Sequence, residues 1–342
     1  MMAIRMAQYG VQHGHAAGKA QAMRDNPDVE LCGVFEPDAT VRARAERQPA
    51  FADLRWYASA AEMLSDAGTV AVAIEGRNDH SLGMAHEAVS AGKHIWFDKP
   101  AGDDWTAFQE LVGIARRGGV MVQLGYMFRY QDGFARLAEW CRGGLLGNVY
   151  SIRAHMSTWI PEATDPPSAF TRGVVASHPG GILYDLGGHM LDQILWLLED
   201  ERPARVTSFL RNDATASLPS LADNTVAVFE FARAMVVVEI AAMEVRPPAR
   251  RFEVYGVNGS AIIDPMEPAT HIRLCLDAAR DGYVAGAQTV PLSGMSRQRT
   301  YELELEAFTG AIRGERPPDR PLEHELLVQE TLLRATGRLA HV

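Results

Sequence analysis

Three ionisable residues interrupt an otherwise apolar stretch, GGILYDLGGHMLDQILWLL, at residues 180–198. Asp185, His189 and Asp192 are spaced four and three residues apart, so an α-helix would carry all three on nearly one face. Burying such groups is costly unless they are paired or hydrogen-bonded. The pattern therefore predicts a helix whose polar face is either a buried structural network or a site of proton chemistry.

A carboxylate and an imidazole four residues apart can also share a divalent metal ion. Such an ion would need a third ligand, for which His155 and His178 are the first candidates. No third ligand stands out, so we expect no metal here and keep the shared ion as an alternative.

The composition is that of a water-soluble globular protein. Its 342 residues suggest two domains, and 47% are apolar, yet no run approaches the roughly 18 consecutive apolar residues that a membrane helix needs. The first ten residues read as a strand and turn rather than as a signal peptide, which predicts a cytoplasmic protein. Cys32, Cys141 and Cys275 are scattered, as expected for free thiols. A net charge of −10 argues against binding to nucleic acid or to an anionic membrane.

Strand-like and helix-like segments alternate over the first part of the chain. The segments AIRMAQYG, VELCGVF, TVAVAIEG and HIWF read as apolar strands with helical segments between them. Strands that are apolar on both faces are typical of a parallel sheet covered by helices. We therefore expect an α/β domain built from βαβ units over residues 1–124.

The pattern changes near Tyr126. The later strands are longer and two-faced, as in NVYSIRAHMSTW, NTVAVFEFA and AMVVVEIAAM, with glycine and proline between them. This alternation is typical of antiparallel strands with one solvated face. Residues 125–342 are expected to form an α+β domain with an open, mainly antiparallel sheet and two closing helices.

The first β-to-α turn, QYGVQHGHAAGK, has the position of a phosphate-binding loop. Gly10, Gln12, His13 and Gly14 form it, and glycine here lets helix amides approach a pyrophosphate. The usual G-x-G-x-x-G spacing is broken, because Gln12 takes the second glycine position and Gly14 falls one place short of the third. A glycine-rich turn without a ligand is the alternative.

Glu36 ends the second strand, 26 residues after Gly10. A carboxylate at this place accepts hydrogen bonds from the 2′ and 3′ hydroxyls of an adenosine ribose and repels a 2′-phosphate. The residue favours NAD over NADP as the cofactor. A turn or helix-capping acid in VFEPD is the alternative.

Lys99, in GKHIWFDKP, stands at the end of a predicted parallel strand, where the chemistry of open α/β sheets gathers. The segments DKP, GGILYDLGGHMLD and LGYMFRY together resemble the glucose-fructose oxidoreductase and inositol dehydrogenase (Gfo/Idh/MocA) family, over nearly the whole chain. The resemblance implies an N-terminal Rossmann domain and a C-terminal α/β domain whose open sheet often forms an oligomer interface. It also implies that Lys99, Asp185 and His189 are the catalytic residues.

The departures from the family pattern concern the cofactor. Asp98 replaces a glutamate beside the cofactor, and GRNDH replaces a T-P-N-x-x-H loop of which only His80 carries over. The expected cofactor residues are Gly10, Gln12, His13, Gly14, Glu36, His80, Asp98 and Lys99. Asp192, the trailing acid of the motif, is expected to be structural, and Pro100 to follow a cis peptide bond.

These residues predict hydride transfer to or from a secondary alcohol. His189 would remove the hydroxyl proton, Asp185 would bind the same substrate region or orient the imidazole, and Lys99 would stabilise charge on the reacting oxygen. Tyr126 and Arg129 are expected at the domain junction as substrate residues, with a structural salt bridge as the alternative for Arg129. The expected substrate is a neutral sugar, polyol or inositol-like compound, and the expected assembly a homo-oligomer, dimer or tetramer.

Two other functions are compatible with these residues. An enzyme that oxidises a sugar transiently, to allow glycosidic cleavage or elimination, would begin with the same lysine and histidine but release no net NADH. A regulator that binds the dinucleotide without catalysis is the other alternative, although it has no need of Lys99, Asp185 and His189 together.

Overall fold

The computed structural model describes residues 2–160, 175–245 and 249–340. The chain divides into two compact units. Unit 1 comprises Met1–Tyr126 and Gln298–Leu326, and unit 2 comprises Met127–Arg297 and Leu327–Val342. Among the described helices, none combines the length and the apolar character required to cross a bilayer.

Unit 1 is built on a five-stranded sheet in the order β2-β1-β3-β4-β5, with all neighbouring strands parallel. The strands are β1 Ile4–Tyr9, β2 Val29–Phe35, β3 Ala71–Ile74, β4 His94–Phe97 and β5 Val122–Leu124. Every residue of β3 is buried, so both faces of the sheet are covered at this strand. The predicted α/β domain with a Rossmann-like parallel sheet is confirmed.

Helices connect these strands. They are α1 Ala16–Asp25, α2 Ala39–Ala45, α3 Ala60–Ser65, α4 Ser81–Ser90 and α5 Trp105–Gly118, with a short 3₁₀ helix at Pro49–Phe51. The sequence sets the bounds of α5 at both ends. Asp104 accepts a hydrogen bond from the amide of Ala107 in the first turn, and Gly119 ends the helix with a left-handed backbone at φ +66°.

Unit 2 contains an eight-stranded sheet in the order β13-β12-β11-β10-β6-β9-β8-β7. The strands are β6 Val149–His155, β7 Arg205–Arg211, β8 Asn224–Glu230, β9 Met235–Ala241, β10 Arg251–Gly256, β11 Gly259–Ile263, β12 His271–Leu276 and β13 Gly286–Pro291. The pair β6 and β9 is parallel and the other pairs are antiparallel. The predicted, mainly antiparallel sheet is therefore confirmed.

The helices of unit 2 include α6 Asp132–Arg142 and α7 Gly181–Leu197, preceded by a 3₁₀ helix at Met127–Tyr130. α7 packs against α6, β8 and β9. In β8 the side chains of Thr225, Ala227 and Phe229 are buried, and the residues between them are partly exposed. This two-residue alternation gives the sheet one covered face and one open face.

Two helices follow the sheet of unit 2, α8 Arg297–Ile312 and α9 Leu322–Ala335. The expected single boundary at residues 124 and 125 differs from the observed division, because most of α8 and the start of α9 belong to unit 1. The side-chain amide of Gln123 donates to the carbonyl of Glu304 at 3.2 Å, and the amide of Leu124 donates to Oε1 of Glu325 at 3.2 Å. These bonds join the end of β5 to the C-terminal part of the chain.

Candidate active site

The turn between β1 and α1 lies at the carboxyl edge of the parallel sheet. Gly10 has a φ of +86°, and a Cβ placed on it would lie 2.7 Å from the amide nitrogen of Gly76. Glycine is therefore required for the ends of β1 and β3 to approach this closely. The amides of Gln12 and His13 both donate to the carbonyl of Glu75, at 3.0 Å each. The turn is thus fixed against the end of β3.

Glu36 follows β2 directly and is 4% exposed. Its carboxylate accepts hydrogen bonds from the Val11 amide at 2.9 Å, from Nε2 of Gln12 at 2.7 Å and from the Asp38 amide at 3.0 Å. The N-terminal cap of α2 is Asp38, so Glu36 is not needed for that role. An acid held beside the turn fits a dinucleotide ribose, and Gln12, which replaces the second glycine, is directed at this acid.

Gly14 and His80 lie further along the same edge of unit 1. Gly14 is exposed in the turn. His80 is the N-cap residue of α4, and its side chain is 66% exposed, with Nε2 3.8 Å from the carboxylate of Asp79. Both positions are open to a ligand at the carboxyl ends of β1 and β3.

Lys99 follows β4 and is 3% exposed. The Lys99–Pro100 peptide bond is cis, as predicted. The amide of Lys99 donates to Oδ1 of Asp98 at 2.8 Å. Oδ2 of Asp98 lies 2.9 Å from Nδ1 of His15 and 3.0 Å from Nζ of Lys19. Since His15 stands immediately before α1, these contacts join the end of β4 to the predicted phosphate-binding turn.

The charges around Asp98 are set by burial and by close partners. Burial alone would raise the pKa of Asp98, but His13, His15 and Lys19 hold it well below its usual range. Burial lowers the pKa of His15 to about 4, so the imidazole is neutral at pH 7. Burial opposes the charge of Lys19, yet Asp98 and Glu75 raise the pKa of its ammonium. Asp98 thus favours its ionised form, Lys19 its protonated form and His15 its neutral form. Together with His13 and Glu75, these residues form the cluster around Asp98.

Sequence reasoning missed His15, Lys19 and Glu75 as members of this cluster. Two signals were available. Lys19 shares the buried face of α1 with Ala16 and Met23, and Glu75 directly follows the fully buried strand β3. A charged residue at an apolar-face position indicates a buried partner, because an unpaired buried charge is costly.

The described residues contain one group of histidine and acid side chains spaced closely enough to share a metal ion. It consists of His13, His15 and Asp98, whose ligand atoms lie within 4.8 Å of one another. Neither Asp185 nor His189 belongs to such a group within the described ranges. The two histidines considered as third ligands have other contacts: His155 lies 2.9 Å from Glu244, and His178 stacks on Tyr184.

Asp185, His189 and Asp192 lie on α7. His189 is 2% exposed and its ring packs edge-on against Phe128, with ring centroids 5.1 Å apart. Asp185 is partly exposed, and Asp192 is fully buried. His189 and Asp192 are therefore buried, whereas Asp185 reaches solvent.

Asp192 pairs with Arg129, which stands 63 residues earlier in the chain. Nη2 of Arg129 lies 2.6 Å from Oδ1 and Nε lies 3.3 Å from Oδ2, a two-point contact buried inside unit 2. The guanidinium also lies 4.4 Å from the ring centre of Trp196. These are the contacts of the structural salt bridge named as an alternative for Arg129. Tyr126, in unit 1, is fully buried, with the guanidinium of Arg320 5.4 Å from its ring centre.

The predicted site residues are divided between the two units. Gly10, Gln12, Glu36, Asp98 and Lys99 belong to unit 1, and Asp185, His189 and Arg129 belong to unit 2. Within unit 1 the structure joins Gln12 to Glu36 and Asp98 to Lys99, and within unit 2 it places Asp185 and His189 one helical turn apart.

Both parts of the chain match models of one protein family. Residues 6–126 match the model described as oxidoreductase family, NAD-binding Rossmann fold. Residues 134–262 match the model of the GFO/IDH/MocA C-terminal domain. The two matches follow one another along the chain, as the resemblance of the sequence motifs predicted.

Individual relatives agree with these matches. The uncharacterized oxidoreductase ORF334 of Rhizobium meliloti is 28% identical over 281 residues, which cover 81% of this chain and 80% of that protein. The UDP-N-acetylglucosamine 3-dehydrogenase of Acidithiobacillus ferrooxidans is 25% identical over 325 residues, 93% of this chain and 91% of the relative. A solved levoglucosan dehydrogenase, in complex with NADH and levoglucosan, shares the fold with a TM-score of 0.83 at 17% identity, covering 100% of this chain and 99% of its own. The chain belongs to the Gfo/Idh/MocA family of NAD-binding oxidoreductases.

Proposed function

We propose that this oxidoreductase transfers a hydride to or from a secondary alcohol of a neutral sugar, polyol or inositol-like compound, with NAD preferred over NADP. The position of Lys99 carries this proposal. Its amide is bound by Asp98, and Asp98 contacts His15 beside the phosphate-binding turn, so the lysine is fixed next to the loop that would hold the dinucleotide. Two of the relatives named above are carbohydrate dehydrogenases.

The cofactor would be held by residues at the carboxyl edge of the sheet in unit 1. The turn from Gly10 to Gly14, with Gln12 and His13, would take the pyrophosphate, and Glu36 would accept hydrogen bonds from the ribose hydroxyls. His80, Asp98 and Lys99 border the same edge. The negative charge of Glu36 supports the preference for NAD, because a 2′-phosphate would meet it at close range.

The catalytic roles follow from the chemistry of each side chain. When bound, the nicotinamide supplies the hydride acceptor or donor. Nζ of Lys99 donates a hydrogen bond to the reacting oxygen and stabilises negative charge on it. The imidazole of His189 accepts the hydroxyl proton, since imidazole is the common general base among protein side chains. Asp185, one turn earlier on α7, orients the imidazole or binds the neighbouring part of the substrate.

A binding titration followed by a substrate panel tests this proposal. NAD and NADP are titrated by calorimetry, and a set of sugars, polyols and inositols is then screened for NADH absorbance. Tighter binding of NAD than of NADP, with NADH formed from at least one compound, is the expected result. NAD binding without NADH, but with cleaved or rearranged sugar, would instead establish transient oxidation. NAD binding with no chemistry on any compound would favour a regulator.

Substitution of the catalytic residues gives the sharper test. Lys99→Ala and His189→Ala should each lower kcat by at least about 100-fold, because each removes a group that acts on the proton or charge of the reacting alcohol. NAD affinity should be largely retained in His189→Ala. His271→Ala, on β12, is the matched control and should keep full activity. Unchanged kcat in either catalytic variant would refute the assignment.

A further inference from the structure

Lysine is rare in this chain, and each lysine is buried. Of 33 lysine and arginine residues, only Lys19, Lys93 and Lys99 are lysines, and all three belong to unit 1 with 7% exposure or less. Lys93 donates to the backbone carbonyls of Asp66 and Thr69. Lys99 is assigned to the reacting oxygen above. Lys19 is left without a role in the proposed function.

We propose that Lys19 and Asp98 form a positioning pair for the catalytic lysine, in which the ammonium of Lys19 holds the carboxylate of Asp98 and this carboxylate holds the backbone amide of Lys99. This inference rests on the catalytic role proposed for Lys99. Lys19 itself does not act on the substrate.

The contacts of Lys19 join three elements of unit 1. The residue lies on α1 and is 0% exposed. Its Nζ is 3.0 Å from Oδ2 of Asp98, at the end of β4, and 2.9 Å from Oε1 of Glu75, at the end of β3. It also lies 4.3 Å from the ring centre of Trp96. A buried ammonium between two carboxylates fixes the ends of these strands relative to α1.

The other titratable groups that face the two acids are His13, His15 and Glu304. Nδ1 of His13 lies 3.3 Å from Oδ2 of Asp98 and 3.6 Å from Oε2 of Glu75. Burial raises the pKa of Glu304, on α8, to about 8, so this carboxyl is mostly protonated at pH 7. His15 is neutral, as described above, and donates from Nδ1 to Asp98, because the ionised carboxylate can only accept. Burial raises the pKa of Glu75, whereas the pKa of Asp98 is held low, so Asp98 is the main anionic partner of Lys19.

The absence of a side chain at Gly125 makes room for the carboxylate of Asp98. A Cβ placed on Gly125 would lie 2.8 Å from Oδ1 and 3.0 Å from Cγ of Asp98. The backbone cannot recede easily, because the amide of Gly125 donates to the carbonyl of Phe97 at 2.8 Å. A glycine directly after β5 thus leaves room for the carboxylate that binds the amide of Lys99.

A metal ion held by His13, His15 and Asp98 is the competing explanation of the cluster. Such an ion would bind the oxygen of Asp98 that already lies 3.0 Å from the Lys19 ammonium. Two cations sharing one buried oxygen repel each other strongly. Lys19 therefore serves as the cation of this cluster.

The pair acts on the backbone of Lys99. The amide of Lys99 donates to Oδ1 of Asp98 at 2.8 Å, while Oδ2 of the same carboxylate contacts Lys19 and His15. Loss of the Lys19 ammonium should therefore release this carboxylate and change the environment of the Lys99 amide. A role limited to holding the fold together predicts no change confined to this amide.

Lysine-selective NMR tests the proposal directly. In protein labelled with ¹³C,¹⁵N-lysine, three lysine spin systems are expected, and Lys99→Ala and Lys19→Met each remove one for assignment. Asp98→Asn should weaken the hydrogen bond to the Lys99 amide and shift its amide signal. Lys19→Met should shift the same amide signal, and should lower kcat at least about tenfold while the Kd for NAD changes less than about threefold.

A third variant keeps every charge and moves only the carboxylate. Gly125→Ala should shift the Lys99 amide signal and lower kcat, whereas Gly118→Ala, with open space around its Cβ position, should change neither. Asp98→Asn and Gly125→Ala keep the test available if Lys19→Met does not fold.

The NMR measurements separate this inference from the proposed function, because they need no substrate. A wild-type protein that turns over no compound would contradict the proposed function, whereas a shifted Lys99 amide signal in Asp98→Asn and Lys19→Met would still support the pair. An unchanged Lys99 amide signal in both variants would overturn the pair at any activity. One equivalent of tightly bound metal in the purified protein, measured by mass spectrometry, would overturn it as well.

Discussion

Glu36 is the residue whose charge bears on the choice of dinucleotide. Its carboxylate already accepts three hydrogen bonds from the turn and from the start of α2, so it is held in place before a ligand arrives. The bond from Gln12 is the one that ribose hydroxyls can replace, because it comes from a side chain rather than from the backbone. Glu36 is thus a preformed acceptor with a fixed negative charge.

Glu36→Gln should therefore weaken NAD binding about tenfold, because hydrogen bonds to a charged acceptor are stronger than those to a neutral one. The difference in affinity between NAD and NADP should become smaller. Calorimetric Kd values for both dinucleotides measure this change. Glu30→Gln, on the exposed side of the same strand, is the control. Equal effects on NAD and NADP would show that the charge does not discriminate between them.

The sequence predicts those site residues whose positions depend on spacing along a single helix or strand. The four- and three-residue intervals of Asp185, His189 and Asp192 predicted one helix face, and the acid after β2 predicted Glu36. The partner of Asp192 could not be found in this way, because Arg129 meets it only through the tertiary fold. The same holds for Lys19, whose two acids follow separate strands.

Most of helix α8 belongs to unit 1, and the helix carries a buried carboxyl group whose protonation depends on pH. Glu304 is fully buried on this helix, and its backbone carbonyl accepts from Gln123 of β5. Burial raises the pKa of its carboxyl to about 8, well above that of a glutamate in an unfolded chain. The folded state therefore binds this proton more tightly than the unfolded state does.

The sign of the pH effect follows from this difference. The contribution of protonated Glu304 to stability is complete below the unfolded-state pKa and is lost as pH rises through about 8. Denaturant midpoints of the wild type should fall between pH 5 and pH 9, and Glu304→Gln, which mimics the protonated acid, should make this fall smaller. Glu306→Gln, exposed on the same helix, should leave the slope unchanged. A steeper fall in Glu304→Gln would contradict the assignment.

Some elements were predictable because burial leaves a pattern. β3 and most of β4 are apolar runs, and β8 and β9 alternate. Two elements lacked such a signal: α2 buries only Ala45, and β13 is an edge strand with no buried residue. β12 was missed although its buried residues Ile272, Leu274 and Leu276 do alternate. The parallel pairing of β6 with β9 depends on chain topology, which local patterns do not encode.

The chain is not divided into its two units at a single point, because each unit is made of two separate stretches. The chain leaves unit 1 after Tyr126, forms the sheet of unit 2, and returns to unit 1 at Gln298–Leu326. The sequence indicated two closing helices but not the unit on which they pack. That choice depends on long-range bonds such as the one from Leu124 to Glu325.

The open face of the eight-stranded sheet carries apolar side chains that a folded monomer leaves exposed. Phe209 on β7 is 60% exposed and Met235 on β9 is 54% exposed. Phe209 and Met235 lie on the same face of the sheet as Val226 and Val228 of β8, the strand between β7 and β9. Both valines are partly exposed. Exposed apolar side chains on one sheet face are typical of an association surface.

We expect this face to join copies of the chain in solution. Phe209→Glu and Met235→Glu should each weaken self-association at least about tenfold, because each places a charge where apolar area would be buried. Sedimentation velocity over a range of concentrations measures this. Val257→Glu, at the exposed turn between β10 and β11, is the control for an added charge away from the open face. A wild type that sediments as a monomer, or variants that associate as tightly as the wild type, would show that the open face is not the interface.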